Sequence, residues 1–308
     1  MFDCKVRRRL HIHRASVVAG ESLNRVSSSL RPTLVVMARR QLKPMRPEAW
    51  AKWVPAPTPA NRKLEQIFLS EHWQYGGVVH HSTARALVAA LSGASEIAVG
   101  HALYLRLYTE YGIALETLGA WGWTFQNYRS HKLFLDALLS YPHSAPREFF
   151  RAVLLNRSGS LQRLLRLSRS RRVTAAIATG FEWTEPEAEA AMDECMRNLR
   201  LAARQYLSEN EIIRTTYNKA KHGVTIVRPP DLAPREFYVL APHLVLRGKR
   251  DRARYDLSKF SIDKTMIRAL EHGVVSTGRL IQFLAGVARA LHCADLLYSD
   301  RSQAAAGR

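Results

Sequence analysis

The stretch IAVGHALYLRLYTEYGIALETLGAWGWTF, residues 97–125, decides the fold of this chain. Apolar and aromatic side chains recur in it every three or four residues, which places them along one side of an α-helix. The spacing predicts a long helix from about residue 95 whose apolar stripe faces the core of a helical bundle. The stripe consists of Ile97, Tyr104, Tyr108, Tyr111, Leu115, Leu118, Gly122 and Phe125.

Further helical patterns flank this helix. The folded part is predicted to begin at Asn61, a favourable N-cap residue, and its first helix is expected to end at the Gly76-Gly77 pair. Shorter helical pieces are expected after the long helix, near residues 131–140, 145–155 and 159–168.

Two longer helices are expected in the second half of the chain. Thr184 and Glu187 have the spacing of a capping box, and the helix that starts there places Cys195 on its core face. The last helix is predicted over about residues 261–298. Glycine weakens helix propensity by about 1 kcal/mol against alanine, which is tolerable where a neighbouring helix has to approach closely. The glycines concerned in the last helix are Gly273, Gly278 and Gly286.

The apolar period changes in the last third of the chain. Residues 224–227, 237–240 and 244–247 form short β-rich runs separated by turn residues. We expect a small antiparallel sheet at about residues 224–256, inserted before the last long helix. The predicted fold class is therefore mainly α, a helical bundle over residues 61–300 with a small antiparallel β insertion.

Residues 1–60 have no sustained apolar period and end in the proline-rich run WVPAPTP. Because proline supports neither helices nor sheet ladders, we expect this segment to be a disordered basic tail and linker, and residues 301–308 to be a second disordered tail. Two other interpretations of the first 45 residues stay open, namely an organelle transit peptide and a true start codon at Met37 or Met45.

The composition bounds the class of protein. With 308 residues and 47% hydrophobic composition, the chain is long enough for a sizeable core, and no stretch has the roughly 18 clean apolar residues of a membrane span. Cys4, Cys195 and Cys293 have no C-x-x-C spacing, so neither a disulfide framework nor a cysteine zinc site is expected. The charged start lacks the apolar region of a secretory signal. The sequence therefore predicts a soluble cytoplasmic protein with no membrane association.

Positive charge is concentrated in three segments of a chain whose formal net charge is +20. Residues 1–63 carry +11, residues 157–172 carry +6 and residues 224–260 carry +4. Such segments bind phosphate backbones by releasing counterions, and they also occur as plain solvated surfaces. The connector at residues 163–172 is interpreted as a solvated turn, and RNA or a nucleotide is the expected partner of the basic segments.

Motifs of the common enzyme classes are absent from the sequence. It has no glycine-rich phosphate loop before a helix, no H-E-x-x-H, no G-x-S-x-G and no paired Cys/His spacing, so neither a cofactor nor a metal is expected. His80-His81 is interpreted as part of a solvated turn rather than a metal site. Glu110 and Glu116 diverge by about 120° on the long helix, which favours partnered structural carboxylates over an acid and base pair. The tyrosines of the stripe are interpreted as core and interface aromatics rather than as a base-stacking platform.

The most informative polar segment is RTTYNKAKHG, residues 214–223, at the C-terminal end of a predicted helix. Polar residues recur in it every four positions with a drift of about 40° per step, so they project in one direction and can hold an anion. Arg214 and His222 are also the candidates for a catalytic role. The alternative is that His222 and Gly223 only terminate the helix. The candidate ligand-binding residues are Arg214, Asn218, Lys221 and His222.

This segment resembles the histidine motif of the HEPN superfamily, small helical bundles found in nucleotide-binding and RNA-cleaving proteins. Their motif is an arginine, a polar residue and a histidine near a helix end, in the form R-x4-H. The residues YNKAKH match it with Asn218 at the polar position and His222 at the histidine, while Tyr217 stands where arginine is expected. Arg214 lies one helical turn away. In catalytic members the arginine and histidine, usually paired across a dimer, position and activate an RNA 2′-hydroxyl.

The resemblance implies a HEPN-like helical protein that contacts RNA or a nucleotide without cleaving it, with a homodimer as an expected assembly. Binding is favoured over catalysis because tyrosine cannot supply the charge of the missing arginine. Two alternatives stay open: a HEPN-type metal-independent endoribonuclease of a defence or toxin system, and a structural partner-binding bundle.

We expect no metal-independent RNA cleavage above a His222→Ala control. A developing phosphorane needs a fixed positive donor, and loss of one such donor typically costs about 100- to 1000-fold in rate. The measurement is incubation of wild type, Arg214→Ala and His222→Ala with labelled RNA in chelator, with products resolved for 2′,3′-cyclic phosphate ends. Cleavage by wild type that disappears in both variants would show instead that Arg214 supplies the charge from one turn earlier.

Overall fold

The computed structural model describes residues 58–71, 75–131, 133–156, 159–168, 170–208, 226–229, 231–247 and 250–298. Over these residues the chain is mainly α-helical with a small antiparallel sheet before the last long helix, as the sequence predicts. A short 3₁₀ turn at Tyr128–Ser130 follows the longest helix. The helices are α1 (Pro59–Glu71), α2 (Tyr75–Gly93), α3 (Ile97–Asn127), α4 (Phe134–Leu139), α5 (Ala145–Leu155), α6 (Leu161–Leu164), α7 (Arg171–Phe181), α8 (Glu185–Ser208) and α9 (Lys264–Cys293).

The sheet has three strands in the order β1-β2-β3, and both neighbouring pairs are antiparallel. The insertion extends five residues beyond its predicted end, because the third strand pairs with the second along its whole length. For the same reason the last helix starts three residues later than predicted. The strands are β1 (Ile226–Val227), β2 (Glu236–Arg247) and β3 (Arg250–Ser261).

Helix α3 is the central element of the bundle, and 17 of its 31 residues are buried. The predicted apolar stripe is confirmed for Tyr104, Leu115, Leu118 and Phe125, each of which is at most 2% exposed. It is wrong for Ile97, which is 45% exposed. Ile97 is the first residue of the helix, and its neighbours at positions 95–99 are exposed as well, so the core begins only one turn later.

Two helix starts show how local sequence sets the boundaries. Helix α1 begins earlier than predicted because Thr58 is its cap, with the backbone N–H of Asn61 donating to Thr58 Oγ1 at 3.2 Å. The predicted capping box of α8 is confirmed. Glu187 Oε2 accepts the N–H of Thr184 at 2.8 Å, and Thr184 Oγ1 accepts the N–H of Glu187 at 3.4 Å. The hydrogen bonds from Thr184 lower the pKa of Glu187.

The shorter predicted elements also form. The pieces expected near residues 131–140, 145–155 and 159–168 correspond to α4, α5 and α6. Cys195 of α8 is 4% exposed, which confirms its predicted place in the core, and this burial raises the pKa of its thiol. The thiol is therefore part of the packing and is not activated as a nucleophile.

Helix α9 is long and apolar enough to cross a membrane, by length and composition alone, and among the described residues no other helix meets that criterion. Its most apolar window has a mean hydropathy of 1.2, and 67% of that window is buried inside the bundle. A core helix of a helical bundle has these same properties.

Helices α2 and α9 touch backbone to backbone. A Cβ atom at Gly77 would lie 2.3 Å from the carbonyl oxygen of Gly278, and one at Gly278 would lie 2.9 Å from that of Gly77. The predicted close approach at Gly278 is confirmed. Gly273 and Gly286 also lie in close contact with neighbouring elements, here with the rings of Tyr111 and Phe181. The expectation that Gly76-Gly77 ends the first helix is wrong, because these residues lie in the first turn of α2.

A buried carboxylate fastens α1 to α4 and to the residues after α9. Glu65 is 2% exposed, and its Oε2 accepts the backbone N–H of Leu135 at 2.8 Å. Its Oε1 accepts the hydroxyl of Tyr298 at 2.5 Å, and that hydroxyl oxygen accepts the N–H of Phe134 at 2.9 Å. The two N–H groups belong to the first turn of α4, where the helix itself offers no acceptor. Glu65 and Tyr298 therefore cap α4 from outside.

We expect Gly77→Ala to lower the free energy of unfolding by about 1–3 kcal/mol, because the new methyl group would push the backbone of α9 away. Gly100→Ala is the matched control, since a Cβ there meets nothing within 4 Å. It is expected to be neutral or to stabilise by up to about 1 kcal/mol. Denaturant unfolding measures both, and similar values for the two variants would contradict the backbone contact.

Candidate nucleic-acid interface

The predicted anion site lies outside the described residues. This applies to Arg214, Asn218, Lys221 and His222, and also to Tyr217. Their grouping stays a prediction from the sequence. The hairpin formed by β2 and β3, a second basic element, is described by its strand pairing, and it is the site for which the structure gives a geometry.

Strands β2 and β3 form a two-stranded antiparallel ribbon with 12 residues in each strand. The pairing is continuous from Glu236 and Ser261 at the base to Arg247 and Arg250 at the tip. At about 3.4 Å per residue, the ribbon is about 40 Å long. Residues directly opposite each other share a face, and successive pairs alternate between the two faces.

One face of the ribbon carries four arginines near the tip. The three tip pairs on this face hold four arginines, one histidine and no carboxylate. We call this surface the arginine face. Its pairs are Arg247 with Arg250, Val245 with Arg252, and His243 with Arg254.

The opposite face of the same part of the ribbon holds a single charged residue, Asp251. Charges that only prevented edge-to-edge pairing of the strands would not need to be sorted onto one face. The one-sided distribution therefore favours a surface that meets a polyanion. The pairs of this opposite face are Leu246 with Asp251, Leu244 with Ala253, and Pro242 with Tyr255.

The base of the ribbon packs against α3 through aromatic rings. Phe237 is fully buried, and its ring centroid lies 4.7 Å from that of His101 and 6.2 Å from that of Tyr104. Phe260 meets Tyr108 edge to face at 5.6 Å. These contacts confirm that the tyrosines are core and interface aromatics. They also fix the start of the ribbon on the central helix.

A buried hydrogen bond holds the chain just before β2. His101 is 3% exposed, and its Nε2 lies 2.9 Å from the carbonyl oxygen of Pro234, so Nε2 carries the donated proton. The backbone N–H of Ile262 donates to the carbonyl oxygen of Arg235 at 2.8 Å, which closes the base of the ribbon. Burial and the negative charge of Asp263 raise the pKa of Tyr104 to about 12, so this tyrosine stays neutral in its contact with the ribbon.

The arginine face was not among the features predicted from the sequence. The β-rich runs at residues 237–240 and 244–247 were predicted, but no partner strand at residues 250–261. The missing signal is R-D-R-A-R at residues 250–254, where a cation recurs at every second position. That is the period of a strand, and it places all three cations on one face.

The basic connector around α6 has a different character. Arg163, Arg166 and Arg172 are exposed, so the solvation of the predicted turn is confirmed for the charged side chains. The prediction is wrong for the leucines between them, which are buried, and the turn is wrong for Arg172, which lies in helix α7. Arg171 pairs with Glu185 at 3.1 Å, and both side chains are accessible to solvent. Such exposed pairs contribute little to stability.

His80 lies on the inner side of α2 and is 7% exposed, so its interpretation as part of a solvated turn is wrong. Its Nδ1 lies 2.7 Å from Oε1 of Glu110, which is 4% exposed. The prediction failed because Gly76 and Gly77 do not form a turn but lie in the first turn of helix α2. His80 therefore lies within that helix, on the side that faces the core. Glu110 is confirmed as a partnered structural carboxylate.

The neighbouring His81 is half-buried. Burial lowers the pKa of His81, and the positive charges of Arg85 and Arg279 lower it further, so the neutral imidazole is favoured at pH 7. Within the described ranges no three His, Cys, Asp or Glu side chains come together as metal ligands.

Comparison of the chain with protein-family models, with curated proteins and with solved structures gave no match. A function can therefore be inferred only from the residues of the site itself.

We expect Glu110→Leu to lower the free energy of unfolding by about 1–3 kcal/mol, because it leaves the buried Nδ1 of His80 without its acceptor. The double variant with His80→Leu should recover most of that loss, since it removes both polar groups together. Denaturant unfolding of both single variants and the double variant gives their coupling free energy. Strictly additive losses would contradict a direct buried pair.

Proposed function

We propose that the chain binds RNA, and that the arginine face of the β2–β3 ribbon contacts the phosphate backbone. The observation that carries the proposal is the placement of four arginines on one face of an anchored ribbon. Guanidinium groups are permanently charged and offer a fork of N–H donors that matches two phosphate oxygens. A row of them is a suitable surface for a polyanion.

The spacing of the ribbon supports contact with several phosphates. Arg250, Arg252 and Arg254 follow one another at about 6.8 Å along β3, because every second residue shares a face. Arg247 extends the row onto β2. Such a row displaces several counterions from a nucleic acid at once, which supplies affinity without a strong sequence preference.

The anchored base also favours this function. Phe237 and Phe260 hold the ribbon against α3, so the arginines are attached to a positioned element. Cations on a positioned element lose less conformational freedom on binding than the same cations on a flexible segment.

The HEPN-like segment is a second contact within the same proposal. Arg214, Asn218, Lys221 and His222 would hold a phosphate or a nucleotide, and Tyr217 in the arginine position favours binding without cleavage. RNA is preferred over DNA because the resemblance at residues 217–222 is to bundles that contact RNA. The expected homodimer and the cytoplasmic location belong to this proposal as well.

Replacement of Arg250, Arg252 and Arg254 by glutamine is expected to weaken binding to single-stranded RNA. Each lost phosphate contact removes about 0.7 from the slope of log K against log salt, so the triple variant should have a slope smaller by about 2. Fluorescence anisotropy with a labelled, unstructured RNA over a salt series measures the affinity and the slope.

The matched control removes the same charge from a different surface. Arg197 and Arg204 of α8 and Arg268 of α9 are exposed, and their replacement by glutamine should leave the slope unchanged. Equal losses in the two triple variants would contradict the assignment to the ribbon. Absence of wild-type binding at low salt would contradict RNA binding altogether and favour a structural partner-binding bundle.

A further inference from the structure

A cavity of about 300 Å³ lies between α1, α2, α3 and the residues around α4. Among the residues that the structure describes, half of those that line it are aromatic. We call it the aromatic pocket. Its aromatic residues are Phe68, Tyr75, Trp121 and Tyr141, and the other lining residues are Gly76, Thr117, Ala120 and Leu138.

The rings of the pocket combine a buried floor with an accessible rim. Trp121 is 5% exposed, whereas Tyr75 is 53% and Tyr141 is 39% exposed. The rings of Phe68 and Trp121 are nearly parallel, with an interplanar angle of 13° and centroids 6.2 Å apart. Aromatic faces carry negative partial charge and attract cations, so a pocket lined by four aromatic residues favours a cationic ligand.

A carboxylate lies beside this rim. Thr117 and Ala120 of α3 line the pocket. Glu116 directly precedes Thr117 and lies one helical turn before Ala120. Burial raises the pKa of the Tyr141 hydroxyl, and the negative charge of Glu116 raises it further. The charge of Glu116 therefore acts at the rim of the aromatic pocket.

We propose that the aromatic pocket binds an organic cation that carries a methylated ammonium group. Ring faces attract such a cation electrostatically, and its methyl groups gain from burial against the same rings. Glu116 adds a charge of opposite sign at the rim. The volume of about 300 Å³ is at the small end for ligand sites, which suits a single head group.

Other ligand classes fit these features less well. A neutral aliphatic ligand would gain from the apolar walls but not from the ring faces or from the charge of Glu116. An anion would be repelled by both. The aromatic pocket shares no residues with the ribbon, so either proposal can fail without the other.

Choline and the uncharged 3,3-dimethyl-1-butanol have the same shape and differ by a nitrogen-for-carbon replacement. We expect choline to bind the full chain with a Kd in the millimolar range, and the neutral analogue to bind at least about 10-fold more weakly. Ligand-observed NMR titration measures both. Equal or tighter binding of the neutral analogue, or no binding of choline, would overturn the proposal.

Substitutions of two partly exposed residues test whether choline binds in the aromatic pocket. Tyr141→Ala and Glu116→Gln are each expected to weaken choline binding by about 3-fold or more, with thermal midpoints near that of wild type. Leu139→Ala and Glu96→Gln are the matched controls, because both residues are exposed and neither lines the pocket. Choline binding that is unchanged in both pocket variants would place it elsewhere and contradict the assignment.

A free metabolite and a modified protein can carry the same methylated group. Peptides with trimethyllysine and with unmodified lysine at one position distinguish the two sources. Tighter binding of the trimethylated peptide than of choline would support a protein ligand, and the reverse order would support a small molecule. Equal binding of the two peptides would contradict recognition of the methyl groups.

Discussion

Helix α3 lies in the middle of the bundle, so several polar side chains along it are withdrawn from water and form hydrogen bonds with neighbouring elements. Glu110 accepts a hydrogen bond from His80 of α2, and Tyr111 donates one to Gln205 of α8. His101 donates to the backbone just before β2. Each of these bonds fixes one neighbour against α3. Burial of the central helix therefore specifies where α2, α8 and the ribbon attach.

The same helix positions both proposed sites. The ribbon is anchored at residues 101–108 of α3, and the aromatic pocket uses residues 117–121. Their centres are separated by about 15 residues, or roughly 22 Å along the helix axis. One site offers cations on an extended ribbon, and the other offers ring faces beside a carboxylate. Both proposed sites are thus positioned by one helix.

Local signals made much of the helical fold predictable. The stripe of α3 and the capping box of α8 depend on residues three or four positions apart. The capping box is confirmed, and the stripe is confirmed from Tyr104 onward but not at Ile97. The burial of His80 depends on a partner 30 residues away, which no local pattern reveals. The arginine face depends on the register of β2 against β3, and the aromatic pocket assembles from separate segments. These features arise from tertiary pairing, so the sequence did not predict them.

We propose that the ribbon, rather than the surface of helices α1 to α9, is the main RNA contact of the described residues. The most direct test of this proposal is photocrosslinking of the full chain to RNA that contains 4-thiouridine, followed by mass-spectrometric mapping of the linked peptides. We expect crosslinked peptides from residues 236–261 to predominate and to decline as salt weakens the phosphate contacts. Crosslinks confined to peptides of α1 to α9, with none from the ribbon, would contradict the account.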